Sequence, residues 1–263
     1  FGYSEGKEDY FWAISKWYKE RFDWNLKANW LVKTPGVVFG IAAAIRAFTK
    51  EGEGVLIQQP VYYPFSEVIR DNDRVLVNSP LKLENGHYEI DFEDFEKQIK
   101  ENDVKLFLLC SPHNPVGRVW KEQELRKLGD ICVKYGIIVV SDEIHSDFTY
   151  PEYQHRVFAS LSPAYADITV TCTAPSKTFN LAGLQISNIF ISNADLRRRF
   201  KKEIAAQGYS QVNLMGLAAC QAAYENGGEW LDRLKEYLYG NLAFVKAFLQ
   251  EYLPEITLIA TPT

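Results

Sequence analysis

Five short segments carry side chains able to do chemistry, and their order along the chain is the informative feature. Lys177 stands in Cys172-Thr173-Ala174-Pro175-Ser176-Lys177-Thr178, a primary amine among hydroxyls just past an apolar run. An amine so placed can attack a carbonyl or move a proton. Asp142 ends the run Val139-Val140-Ser141-Asp142, followed by Glu143-Ile144-His145. A carboxylate delivered off four apolar-flanked residues is costly unless a cation meets it. Asn114 lies in Pro112-His113-Asn114-Pro115-Val116-Gly117, where two prolines and a glycine fix a loop and an amide can point inward. Pro60-Val61-Tyr62-Tyr63-Pro64 offers a ring that could stack on a flat heterocycle. Thr34-Pro35-Gly36-Val37-Val38 opens a helix, and free amides with the positive dipole end would hold a phosphate there. Each segment alone has an ordinary reading: a strand-to-helix turn, core aromatics, an Asn-Pro turn, a capping or salt-bridged acid, a surface lysine. The ordinary readings leave the ordered set unexplained.

An alternation of apolar runs and helical patterns must position these groups. An amphipathic helix is expected over Lys7 to Phe22, a strand at Asn29–Lys33, and a helix over Gly36–Lys50 with Ile41, Ala44, Ile45 and Phe48 on one face. Strands are expected at Val55–Gln58, Val75–Asn78, Lys105–Cys110, Ile137–Ser141, Ile168–Thr173 and Ile186–Ser192. Helices are expected at Tyr63–Asn72, Asp91–Lys100 and Lys121–Tyr135, and then at Ala194–Gln207, Leu214–Glu225 and Glu229 to about Tyr252. Asn85-Gly86 reads as a hairpin turn. Runs such as Leu106-Phe107-Leu108-Leu109 and Ile137-Ile138-Val139-Val140 suit strands buried on both faces, the mark of a mostly parallel sheet covered by helices. Ligands bind beyond the carboxyl ends of such strands, where all five segments fall.

Composition narrows the possibilities. The 263 residues are 47% hydrophobic with a net charge of -5, which suits one large α/β/α domain and argues against a nucleic-acid partner. The basic run Arg197-Arg198-Arg199 with Lys201-Lys202 reads as a solvated helix face. Cys110, Cys132, Cys172 and Cys220 are too scattered for a zinc site or disulfide framework, so a reducing cytoplasm is expected. No stretch approaches the ~20 apolar residues that span a bilayer. The chain opens at Phe1 without an initiator Met and closes on the strand-like Ile256-Thr257-Leu258-Ile259-Ala260, so it reads as a piece of a longer protein.

The set from Tyr3 to Gly183 resembles the fold-type-I pyridoxal-phosphate enzymes of the class I/II aminotransferase superfamily. The closer resemblance is to the cystathionine β-lyase (C–S lyase) branch known as MalY/PatB. Its most specific matches are Phe1-Gly2-Tyr3-Ser4, Ser141-Asp142-Glu143-Ile144-His145, and the segment from Ala174 to Gln185. The resemblance covers essentially the whole chain. It implies a three-layer α/β/α sandwich over residues 1–252, including a long interdomain helix, with 253–263 starting a small C-terminal domain that is otherwise missing. It implies pyridoxal 5'-phosphate as cofactor, held by Lys177 as a Schiff base, with Asp142 at the ring nitrogen, Asn114 at the ring oxygen and Tyr62 stacked on the ring. Gly36, Val37, Val38 and Ser176 would hold the phosphate. Tyr3 would reach the phosphate of a neighbouring subunit, implying a homodimer with shared sites.

Aminotransferases commonly have arginine where this chain has Gln185 and tyrosine where it has His145, and both differences resemble the lyase branch. Ala174 stands where serine is common, and Thr173 is the candidate to replace that hydroxyl. The expected activity is cleavage of cystathionine or cysteine conjugates, small amino-acid substrates, to a thiol, pyruvate and ammonia. An aminotransferase is the alternative enzyme, and a regulatory partner-binding protein on the same fold is the alternative of another class. In the family a small domain supplies the arginine that clamps the substrate carboxylate, and no arginine follows Arg233 here.

Overall fold

Apolar strands buried on both faces need helices on both sides, and the computed structural model, which describes residues 6–259, shows that arrangement. The chain begins with α1 (Glu8–Phe22), β1 (Leu31–Thr34), α2 (Val37–Phe48), β2 (Gly54–Ile57), α3 (Pro64–Arg70) and β3 (Val75–Asn78). A hairpin of β4 (Lys82–Glu84) and β5 (His87–Glu89) follows, then α4 (Phe92–Glu101), β6 (Val104–Cys110), α5 (Glu122–Tyr135) and β7 (Ile138–Asp142). Next come α6 (Pro163–Asp167), β8 (Thr169–Thr173), α7 (Pro175–Thr178), β9 (Ser187–Phe190), α8 (Ala194–Ala206), α9 (Leu214–Asn226) and α10 (Gly228–Tyr252).

The main sheet runs β1-β9-β8-β7-β6-β2-β3. Strands β8, β7, β6, β2 and β3 are mutually parallel, and β9 runs antiparallel to both β1 and β8. Along β6, Leu106, Leu108 and Cys110 pack with α2, α3 and α8, while Phe107 and Leu109 pack with α4, α5 and α6. That two-sided burial is why the run shows no alternation. A third cluster joins α1, α9 and the start of α10 around Trp17, Tyr18, Tyr224 and Leu231. Beyond Leu231, α10 leaves Tyr237, Phe244, Phe248 and Tyr252 exposed. Among the described residues, no helix is long and apolar enough to cross a membrane.

The expected elements are present, with shifted ends. The first strand begins at Leu31, because Ala28–Trp30 form a 3-10 turn. The hairpin turn is at Asn85-Gly86, both with positive φ (50° and 80°), which suits Asn-Gly in a two-residue connection. Helix α6 was not expected; its five residues are too few to show a helical period, although Ser162 caps it and Pro163 opens it. The strand-like run from Ile256 is in no strand over residues 256–259, and Ala260 lies outside the described residues. All four cysteines are buried and free.

Candidate active site

Strands β6, β7 and β8 lie side by side, with Cys110 level with Asp142 and Asp142 level with Cys172. Their carboxyl ends reach one sheet edge together. Asn114 follows the first strand, Asp142 ends the second, and Lys177 follows the third on the one-turn helix α7. The loop after β2 brings Tyr62 to the same edge, and the turn after β1 brings Gly36 and the start of α2. A cavity of about 210 Å³ opens there, several times the ~30 Å³ share of one water. Its walls include Gly36, Val37, Val38, Tyr62, Asn114, Asp142, His145, Ser176 and Lys177. Every site residue expected from the sequence lines it except Tyr3, which lies outside the described residues.

At one end the cavity is suited to an anion. Helix α2 has no side-chain cap at Gly36 and no acidic residue in its first turn. Its first helical bond runs from Gly40 N to Gly36 O (3.1 Å), so the amides before it remain available to a ligand. A Cβ built on Gly36 would meet nothing within 4 Å, so the space above this turn is open.

Asp142 demands a cation or a donor. It is buried, and its Oδ1 accepts from Ile144 N at 3.2 Å. Burial pushes its carboxyl up to about 7, opposed by the Ile144 bond, while Glu143 adds to the rise and Lys177 counters it. Among the described residues no cation is within ion-pair distance, so the partner expected for this acid is not a protein side chain. Lys177 itself is exposed to the cavity. Burial first, then the charge of Lys177, lowers the His145 pKa, so its imidazole is neutral near pH 7. Burial, Tyr63 and Asp142 raise the Tyr62 phenol, which stays protonated. A flat ligand with an anionic arm, a carbonyl for an amine and a ring N–H⁺ would satisfy the open amides, Lys177 and Asp142 together.

Thr173 does not join them. Its Oγ1 donates to Asn188 O (2.8 Å) on β9, because odd-numbered residues of β8 face away from α2. It therefore does not replace a hydroxyl at Ala174, which is itself packed in the core. Gln185 does line the cavity. Because β9 runs antiparallel, it starts at the edge where its neighbours end, and Gln185 enters it there with φ 47°.

Buried braces went unread in the sequence. His113, held neutral by burial that lowers it to about 4, donates from Nε2 to Pro60 O (2.9 Å) and ties the Asn114 loop to the Tyr62 loop. Cys110 Sγ accepts from Asn114 N (3.3 Å). Glu143 accepts from Ser141 Oγ (2.9 Å), His155 Nε2 (2.8 Å) and Phe158 N (3.0 Å), anchoring the segment after Asp142. The acidic run of Asp142, Glu143 and Asp147 was the available signal; which acid faces which way depends on partners far along the chain.

Comparison with known proteins identifies the family. The family model of aminotransferase class I and II matches residues 1–261. Cystathionine beta-lyase PatB of Bacillus subtilis is 42% identical, covering 98% of this chain and 67% of its own length. Protein MalY of Escherichia coli is 32% identical, covering 97% of this chain and 65% of its own. The crystal structure of cystalysin from Treponema denticola, which contains a pyridoxal 5'-phosphate cofactor, superposes with a TM-score of 0.95 at 44% identity, covering 97% of this chain and 64% of that one. The chain thus spans about two thirds of the length of these relatives.

Proposed function

Since the chain belongs to the aminotransferase class I and II family, with relatives of the MalY/PatB type, we propose that it is the large domain of a pyridoxal-phosphate-dependent C–S β-lyase. The substrates would be cystathionine or cysteine conjugates, and the products a thiol, pyruvate and ammonia. The observation that carries the reading is a buried carboxylate, Asp142, with no ion-pair partner among the described residues, in one cavity with a solvent-facing lysine amine, Lys177. The likeness to a structure containing the cofactor supports it.

When bound, the cofactor supplies an electron sink that acidifies the substrate's Cα–H. The remaining work belongs to the chain. Lys177 would hold the cofactor through its amine, and its Nζ, when free, would accept the substrate's Cα proton. Asp142 keeps the ring nitrogen protonated by charge pairing. Asn114 and His145 would serve the ring oxygen and Tyr62 the ring face, a reading supported by their sharing one cavity. Gly36, Val37, Val38 and Ser176 would hold the phosphate, with Gln185 in the cavity wall where related aminotransferases commonly carry arginine. Loss of a thiolate from Cβ is feasible because thiols have a pKa near ~8.5. In this reading residues 1–252 form the large domain, 253–263 begin a smaller one, and Tyr3 reaches the phosphate site of a partner subunit in a homodimer.

His145 and Gln185 in the cavity favour lyase over aminotransferase. The complete gene product, given cystathionine and no keto acid, is expected to release thiol and pyruvate. Strict dependence on a keto acid, with the amino group recovered in a new amino acid, would replace this reading with the aminotransferase. Cofactor binding without turnover of either kind would point to a regulatory, partner-binding role.

A further inference from the structure

Lys177 sits on a helix too short to hold itself. Helix α7 is four residues long and is closed by Phe179 N donating to Pro175 O (2.9 Å), far below the length at which a helix is stable alone. Something outside must set the direction of the lysine.

The next residue makes that connection. Thr178 is buried, and its Oγ1 donates to Asp147 Oδ2 at 2.7 Å. The other oxygen, Oδ1, accepts from Trp17 Nε1 of α1 at 3.1 Å. Asp147 is 4% exposed, and both groups it meets are donors. An ionised carboxylate is acceptor-only and fits both; an amide would turn a donor toward one of them. Burial raises the Asp147 pKa, and the Thr178 bond, Arg21 and Trp17 oppose the rise.

Asp147 is in turn fixed to the strand end that carries Asp142. Glu143 N donates to Cys172 O (2.9 Å), Ser146 N to Glu143 O (3.0 Å) and Phe148 N to His145 O (2.9 Å). Trp17 is held edge-on by Phe179 (5.4 Å) and Tyr224 (5.5 Å), with Arg21 over its ring at 4.1 Å. Neither Asp147, Thr178 nor Trp17 lines the cavity, so they can act only through what they hold.

We infer that Asp147 is a positioning residue: through its hydrogen bond from Thr178 it fixes the Lys177 segment against the strand end bearing Asp142. The inference rests on the reading that Lys177 is the reactive amine. It makes that buried bond, between residues 31 apart in sequence, one determinant of the distance and angle between amine and acid.

Thr178→Val in the complete gene product removes the hydroxyl at nearly constant volume, and Thr178→Ser keeps it. Thr178→Val is expected to lower kcat by roughly 10- to 100-fold, as small misplacements of a reacting group do, with KM changed less than about threefold. It should also shift the pH midpoint of the absorbance of lysine-bound cofactor by about half a unit or more, since the amine's surroundings change. Thr178→Ser should restore both, and Asp147→Asn should reproduce the valine phenotype, which keeps the test alive if one variant folds poorly. A Thr178→Val protein with wild-type kcat and wild-type midpoint, even if it melts at lower temperature, would overturn the inference and leave a purely structural bond. Wild-type protein without absorbance from lysine-bound cofactor would instead overturn the cofactor reading itself, so the two failures are distinguishable.

Discussion

Lys177→Ala is expected to lower turnover by at least about 10³-fold, within the range that a positioned acid–base group contributes, while leaving the thermal stability of the cofactor-free protein nearly unchanged. The two halves of that expectation have separate causes. The side chain is exposed to the cavity and makes no ion pair among the described residues, so removing it opens no core and orphans no partner. Exposed substitutions of this kind usually stay within ~0.5 kcal/mol of the parent. Activity, by contrast, loses both the covalent attachment and the proton acceptor. Steady-state kinetics on the cofactor-loaded protein and a melting curve on the cofactor-free protein check the two halves separately. Turnover within about tenfold of wild type, or ~1.4 kcal/mol of barrier, would show that another group does the work.

Asp142→Asn is expected to lower turnover by about 10²- to 10³-fold, the cost of deleting one preorganised electrostatic group. It should also change the pH dependence of stability in the cofactor-free protein. The folded-state carboxyl titrates at about 7, well above its ordinary value of 3.8. Between those limits the folded chain keeps a proton that the unfolded chain has lost, so this group makes stability fall as pH rises from near 4 to near 7. Asparagine cannot ionise. The melting temperature of Asp142→Asn relative to wild type should therefore rise with pH across that window. A constant difference between the two melting curves from pH 4 to pH 8 would contradict the burial argument.

Much of the site was legible because its parts follow apolar runs that only a buried parallel sheet explains. Asn114, Asp142 and Lys177 each trail such a run, and in-register pairing of three neighbouring strands brings them to one edge. The Asn85-Gly86 turn was legible for a local reason, since both positions require positive φ. What escaped depends on distant pairing. The reversed direction of β9, which delivers Gln185 to the cavity, has no local signature, because an apolar strand reads the same either way. The role of Thr173 was not legible, since nothing in the sequence says which face of β8 its hydroxyl takes. Asp147 was passed over as one acid among three, and its partners Trp17 and Thr178 lie 130 and 31 residues away. Helices α6 and α7 are shorter than the window in which a helical period can be seen.

The central claim is that Lys177 is the residue that holds the cofactor. Borohydride reduction of the cofactor-bound complete gene product, followed by proteolysis and mass mapping, fixes the pyridoxyl group to whichever amine carried it. The account predicts the label on the peptide containing Ser176-Lys177-Thr178 and on no other lysine. Stoichiometric label on a different lysine, with Lys177 unmodified, would contradict it.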